Sequence, residues 1–196
     1  MERTAAVVLG AGLARRFGGG KMLALLDGSP MLQHVLDLVA SVGLEPVIVI
    51  LGDDAAAIER TLAWRNERAV LNPNPASGVS GSVRLGLAEL ADSDVERAVV
   101  LLGDQPRLSA EQLSALVSVP GDVRRPIVVP RFAGRPGNPV LLDRPAWNLA
   151  AELRGDRGMS QLFHRRPDLV RYVEMHGENP DIDTPEDLLA VSRGEG

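Results

Sequence analysis

The chain has 196 residues, a net charge of −5, 45% hydrophobic residues and only 3% aromatics. That length suits one domain whose core is built from Leu, Val, Ile and Ala. The chain contains no cysteine, which excludes disulfides, thiolate zinc sites, iron–sulfur clusters and a cysteine nucleophile, and the acidic balance argues against a general nucleic-acid binder.

Apolar runs and helical patterns alternate from the start. Met1-Glu-Arg-Thr leads into a short apolar run and not a secretory leader, and no run approaches the roughly 20 apolar residues of a membrane span, so a cytoplasmic protein is expected. Residues 5–9, 46–51, 97–102 and 126–130 are short, apolar and rich in β-branched side chains, which predicts buried strands. Between them, residues 31–42, 55–64, 80–90 and 110–117 carry apolar side chains at helical spacing, and Ser109 followed by Glu111-Gln112 marks a helix start. Beyond Pro130 a Gly/Pro/Arg loop leads to a short apolar segment at 140–142. A helix around 147–153, a strand at 169–174 and a last helix near Thr184-Pro185 follow, the threonine capping and the proline taking the first turn.

This alternation predicts an α/β fold: a three-layer, Rossmann-like, mostly parallel sheet with helices on both faces. Right-handed crossovers then bring the loops after the strand C-termini to one edge, where ligands of open α/β sheets bind. Three loops begin there, at 10–21, 72–82 and 103–107.

Lys21 is the only lysine; the other twenty basic residues are arginine. It closes a glycine-rich stretch directly after the first strand. A P-loop needs Gly at position 15 and Ser or Thr at position 22, but Arg15 and Met22 stand there. The Rossmann fingerprint also fails at Arg15. What remains is a strand, a glycine-rich turn, Arg16 and Lys21. Backbone N–H groups of such a turn approach an anion closely, and the two cations offset phosphate charge; the alternative is a plain flexible turn.

Leu9-Gly-Ala-Gly-x3-Arg16-Phe-Gly-x2-Lys21 resembles the signature of the MobA-like nucleotidyltransferases. The resemblance continues through Gly103-Asp104-Gln105-Pro106, Gly134-Arg-Pro-Gly-Asn-Pro-Val140, Gly155-Asp-Arg-Gly158 and Asp181-Ile-Asp-Thr-Pro-Glu-Asp-Leu188. The branch it is most similar to is molybdenum cofactor cytidylyltransferase. It departs from that branch at Gly10, at Leu13-Ala14 and at Asn138, where the branch more often has histidine.

The resemblance implies a single domain over 1–196, with a nucleotide-binding half (1–125) and an acceptor-binding half (126–196), in the nucleotide-diphospho-sugar transferase fold. It implies transfer of CMP from CTP to the phosphate of a molybdopterin-type cofactor, with release of pyrophosphate. Leu9, Gly10, Ala11, Gly12 and Lys21 would hold the triphosphate, with Arg16. Gly78, Ser80 and Ser82 would read the base and ribose. Asp104 and Asp183 would bind Mg²⁺, a hard cation suited to oxygen ligands and phosphates; Asp181, two residues before Asp183 and on the same face of an extended segment, is the alternative second ligand. Gln105, Arg135, Asn138 and Arg157 are the acceptor-side residues. A molybdoenzyme or maturation partner would receive the product.

Each site has a structural alternative. Asp104 is also a common turn residue; Asp183-Thr-Pro-Glu-Asp is also a good helix start; the 72–82 loop is also a rigid connection with serine caps. Three other functions stay open. They are nucleotidyl transfer with GTP or another acceptor such as a sugar phosphate, a nicotinamide-dependent reductase of the same family, and a nucleotide-binding maturation chaperone. His34, His164 and His176 lack metal spacing and are expected to be structural or surface residues.

Overall fold

A computed structural model describes residues 3–12, 14, 16–155 and 158–194. The strands are β1 (Thr4–Gly10), β2 (Leu25–Leu26), β3 (Ser29–Pro30), β4 (Val47–Leu51), β5 (Arg68–Leu71), β6 (Arg97–Leu102), β7 (Ile127–Phe132), β8 (Arg135–Pro136), β9 (Val140–Asp143) and β10 (Val170–Met175). The α-helices are α1 (Met31–Val42), α2 (Ala55–Thr61), α3 (Val79–Ala88), α4 (Ala110–Val117), α5 (Ser160–Arg165) and α6 (Pro185–Ser192).

One sheet runs in the order β10-β7-β9-β6-β1-β4-β5, with β8 paired to β7; β2 and β3 form a separate hairpin. β1 is parallel to β4 and β6, β4 to β5, and β7 to β10. β9 is antiparallel to both β6 and β7. All main-sheet strands except β9 and the two-residue β8 therefore point the same way, and their C-terminal ends share one edge.

Strand alternation explains the three layers. Ala5, Val7 and Leu9 of β1 pack with Val83 and Leu87 of α3, Trp147, and Leu162 and Phe163 of α5. Ala6 and Val8 face the opposite way, onto Leu32, Val35 and Leu36 of α1, Ile58 of α2, and Leu113 and Leu116 of α4. Burying each such Leu, Ile or Val contributes about 1.5–3 kcal/mol.

Both strands expected to start at a proline begin one residue later, at Val47 and Ile127, because proline has no N–H for the ladder. The α4 start carries a reciprocal box: Gln112 N donates to Ser109 Oγ and Ser109 N to Gln112 Oε1. The helix expected around 147–153 is a 3₁₀ helix, Arg144–Glu152. The helix expected over 55–64 stops at Thr61, where Leu62 turns extended. No described helix is long and apolar enough to cross a membrane.

Candidate active site

Five loops meet at the C-terminal sheet edge: those leaving β1, β5, β6, β7 and β10. Gly18, Gly19 and Gly20 in the first all have positive φ (87°, 99° and 65°), a backbone that side-chain-bearing residues adopt only under strain. This turn feeds the short 3₁₀ turn Lys21–Leu23 and aims Lys21 inward, where it is 6% exposed.

The Lys21 Nζ donates to Asp104 Oδ2 at 2.6 Å and to Asp183 Oδ1 at 3.0 Å. Arg16 Nη2 reaches the other Asp183 oxygen, Oδ2, at 2.7 Å from an exposed side chain. Asp104 follows β6 because Gly103 N continues the β1–β6 ladder onto Leu9 O. Its backbone carbonyl accepts from Ile182 N at 3.0 Å, which ties the loop after β6 to the loop after β10. Asp104 Oδ1 is buried and accepts no hydrogen bond.

Asp181 adds a third carboxylate. Burial raises its pKa above the ordinary aspartate value, helped by the charges of Asp104 and Asp183; the Gln105 hydrogen bond and Lys21 pull the other way. Three carboxylates thus face two cations. Among the described residues no group of three His, Asp or Glu side chains encloses a metal ion. The hard oxygens of Asp104 and Asp183, with an orphaned Asp104 Oδ1, still fit a divalent cation that completes its shell with water and phosphate oxygens.

Two clefts adjoin at this edge, the smaller lined by Asp104 and the larger by Asp181. The smaller, about 390 Å³, is lined by Leu9, Ala11, Gly12, Pro75, Gly78, Ser82 and Asp104. The larger, about 620 Å³, is lined by Asn138, Met159, Phe163, His164, Tyr172 and Asp181. Leu9, Val79 and Leu102 line both.

The smaller cleft therefore gathers most of the residues expected at the nucleotide. Gly10 lies behind it instead, where an added Cβ would stand 3.3 Å from Leu51 Cδ2. Ser80 is fully buried. The Ser82 hydroxyl accepts from Asn72 Nδ2 at 3.1 Å, so the loop after β5 is braced internally. On the acceptor side Asn138 lines the larger cleft, while Arg135 lies exposed in the β8 hairpin. Gln105 is buried beneath the surface, bonded to Asp181 and Asn179. Arg157 lies outside the described residues. Sequence reasoning did not single out Asn72, Tyr172 or Asn179. It read His164 as structural, and its Nδ1 does bond Ser160 O, but the residue also lines the larger cleft.

The doubly covered, mostly parallel sheet, with two adjoining clefts and a carboxylate–ammonium cluster at its C-terminal edge, has the Rossmann-like nucleotide-diphospho-sugar transferase fold of nucleotidyltransferases. The chain belongs to the MobA-like NTP transferase family, whose domain model matches residues 6–170. Over nearly its whole length it is similar to nicotine blue oxidoreductase of Paenarthrobacter nicotinovorans, 28% identical across 94% of both chains. It is 38% identical to bifunctional protein GlmU of an Exiguobacterium species over 120 residues, which is 60% of this chain. The chain matches only 26% of the length of that GlmU protein. The crystal structure of Rv0371c from Mycobacterium tuberculosis H37Rv superimposes with a TM-score of 0.87 at 28% identity, covering 98% of each chain. A manganese complex of that protein superimposes with a TM-score of 0.84.

Proposed function

We propose that this chain transfers CMP from CTP to the phosphate of a molybdopterin-type molybdenum cofactor, residues 1–125 holding the nucleotide and residues 126–196 the acceptor. An acceptor phosphate oxygen bonds to the α-phosphorus of CTP, the α–β phosphoanhydride bond breaks, and pyrophosphate leaves. The observation that carries the reading is the Lys21 ammonium held between Asp104, which lines the smaller cleft, and Asp183.

Asp104 and Asp183 are the residues to hold Mg²⁺, and the manganese complex of Rv0371c supports a divalent metal. Bound there, the cation neutralises charge on the substrate phosphates and polarises them. Lys21, drawn from its carboxylates toward the triphosphate, and Arg16 offset further negative charge. Backbone N–H groups of Ala11 and Gly12 cradle the phosphates, with Gly10 packed behind them. Ser82 and Gly78 face the base and ribose, with Ser80 bracing that helix start. The acceptor phosphate is already ionised, so alignment and charge stabilisation do the work and no strong general base is needed. Asn138 contacts the acceptor, Arg135 and Arg157 meet its charge, and Phe163 and Tyr172 give the larger cleft apolar walls suited to a flat ring.

Two measurements test the reading. A ligand present at 100 times its Kd stabilises by ~2.7 kcal/mol, so CTP with Mg²⁺ is expected to raise Tm more than GTP does. Pyrophosphate is then expected only when the molybdopterin-type acceptor is added. Equal response to GTP, or pyrophosphate with other phosphate acceptors alone, overturns the substrate assignment. The full-length likeness to nicotine blue oxidoreductase supports one second reading, reduction of a flat pigment in the larger cleft. NADH consumption without pyrophosphate release would select it.

A further inference from the structure

Three separate segments of the site meet on one side-chain amide. Asn179 lies in the loop between β10 and α6. Its Nδ2 donates to Gln105 Oε1 at 3.1 Å and to Asn138 O at 3.0 Å. Gln105 returns the contact: its Nε2 donates to Asn179 O at 3.3 Å and to Asp181 Oδ1 at 2.8 Å. Gln105 is next to Asp104 on the loop after β6, and Asn138 is on the rim of the larger cleft just before β9.

The chemistry fixes which way this amide points. Both protons of Nδ2 are committed to oxygen acceptors. Turning the amide over would set Asn179 Oδ1 against Gln105 Oε1 and Asn138 O, two more oxygens with no proton between them. As it stands, Oδ1 is buried without a hydrogen-bond partner. A buried amide oxygen left unpaired is costly, and here the two donor bonds from the same group hold it in that position. Gln105 is similarly committed at both ends, so it behaves as the middle of a chain that runs Asn138–Asn179–Gln105–Asp181.

We propose that Asn179 is a positioning residue: its amide locks the acceptor rim, through Asn138, to the carboxylate-bearing loop, through Gln105, and so sets the distance between acceptor and nucleotide. The part that concerns catalysis rests on the transfer reading above; the clamp itself does not. Asn179 itself lines neither cleft, so its effect on turnover passes through the residues it holds. A misplacement of about 1 Å is enough to cost ~10²-fold in a reaction that depends on alignment.

The test uses Asn179→Ala and the near-isosteric Asn179→Asp, which keeps the shape and loses both donors. Amide hydrogen exchange without any substrate comes first. Both variants are expected to speed exchange in 103–107 and 134–139 and to leave the β1, β4 and β6 amides unchanged. Unchanged loop exchange overturns the clamp, and so does a general speeding across the sheet, which marks a merely structural role. Kinetics comes second: kcat/KM for the acceptor is expected to fall about 10- to 100-fold, while the Kd for CTP with Mg²⁺ changes less than about 2-fold. An acceptor kcat/KM at the wild-type level, or an equal loss of CTP affinity, overturns the positioning role. A wild-type protein that transfers to no phosphate acceptor counts against the transfer reading, and the exchange result then decides the clamp on its own. The double variant with Gln105→Ala should lose little more than either single variant, because both changes break one chain; additive losses overturn it.

Discussion

Lys21 donates to Asp104 at 2.6 Å from a side chain only 7% exposed. This buried pairing gives the lone lysine two duties. Without ligand it neutralises two carboxylates that would otherwise repel; in the proposed transfer it is the cation nearest the triphosphate. A charge 4 Å away is worth about 4 kcal/mol at an effective dielectric near 20. Losing about 2–4 kcal/mol of that cuts the rate roughly 30- to 1000-fold. Lys21→Ala is expected to lose pyrophosphate release by that factor and, without metal, to lower Tm by leaving Asp104 and Asp183 unneutralised. Lys21→Arg is expected to be impaired too, because a planar fork does not fit where a point charge bridges two oxygens. Wild-type turnover by the Arg variant removes the argument from size.

The two carboxylates are predicted to differ in weight. Asp104→Asn removes the charge beside an oxygen that already has no partner. Steady-state assays are expected to show a 10²- to 10³-fold loss of kcat and a higher magnesium requirement. Asp183→Asn keeps one oxygen for Lys21 or Arg16, so its loss should be smaller. Chelation by EDTA should abolish turnover in the wild type, and Mg²⁺ or Mn²⁺ should restore it. Activity that survives EDTA refutes the metal assignment.

Some of this architecture was legible in the chain and some was not, for definite physical reasons. α1 and α4 have the predicted bounds because apolar period and capping chemistry agree. β5 was missed because Arg68–Leu71 is an edge strand with its ends exposed, so it shows no apolar run. The reversal of β9 was illegible because a short apolar segment carries no direction. Lys21, Asp104 and Asp183 were legible through loops that resemble the family's motifs, and the structure brings their side chains together. Asn179 was not, since an asparagine before Pro180 reads as an ordinary turn residue and its partners lie on distant loops.

Helix α3 sits unusually close to the sheet, and that closeness positions the smaller cleft. A Cβ added at Gly86 would stand 2.3 Å from Val7 Cγ1, a fully buried β-branched side chain with little room to yield. Gly86→Ala gains about 1 kcal/mol in helix propensity, but the overpacking costs about 1–3 kcal/mol and pushes α3 outward. Calorimetry is expected to show a lower Tm. Because Ser82 and Gly78 ride on the start of that helix, KM for the nucleotide should rise more than KM for the acceptor. Adding Val7→Ala should give losses smaller than the sum of the single changes; strict additivity would mean that the contact does not set the helix position.

The start of α6 holds Asp183 in place, and its stability should depend on pH in a stated direction. Asp187 Oδ2 accepts from Asp183 N at 2.9 Å and from Thr184 N at 2.8 Å, while Asp187 N donates to Thr184 Oγ1 at 3.1 Å. The Asp183 backbone bond, then the Thr184 hydroxyl and backbone, hold the Asp187 pKa below the ordinary aspartate value. A carboxyl with a depressed folded pKa stabilises the fold above its unfolded pKa, and that contribution is lost as pH falls through the folded value. Asp187→Ala is therefore expected to unfold at lower urea than the wild type at pH 7. The gap should narrow as both are titrated below the ordinary aspartate range, since the wild-type carboxyl is then protonated. The same variant frees the Asp183 backbone N–H, so the magnesium requirement should rise at pH 7 while the CTP specificity is kept. A urea gap that is constant with pH would show that the hydrogen bonds at this helix start do not depend on the carboxylate charge.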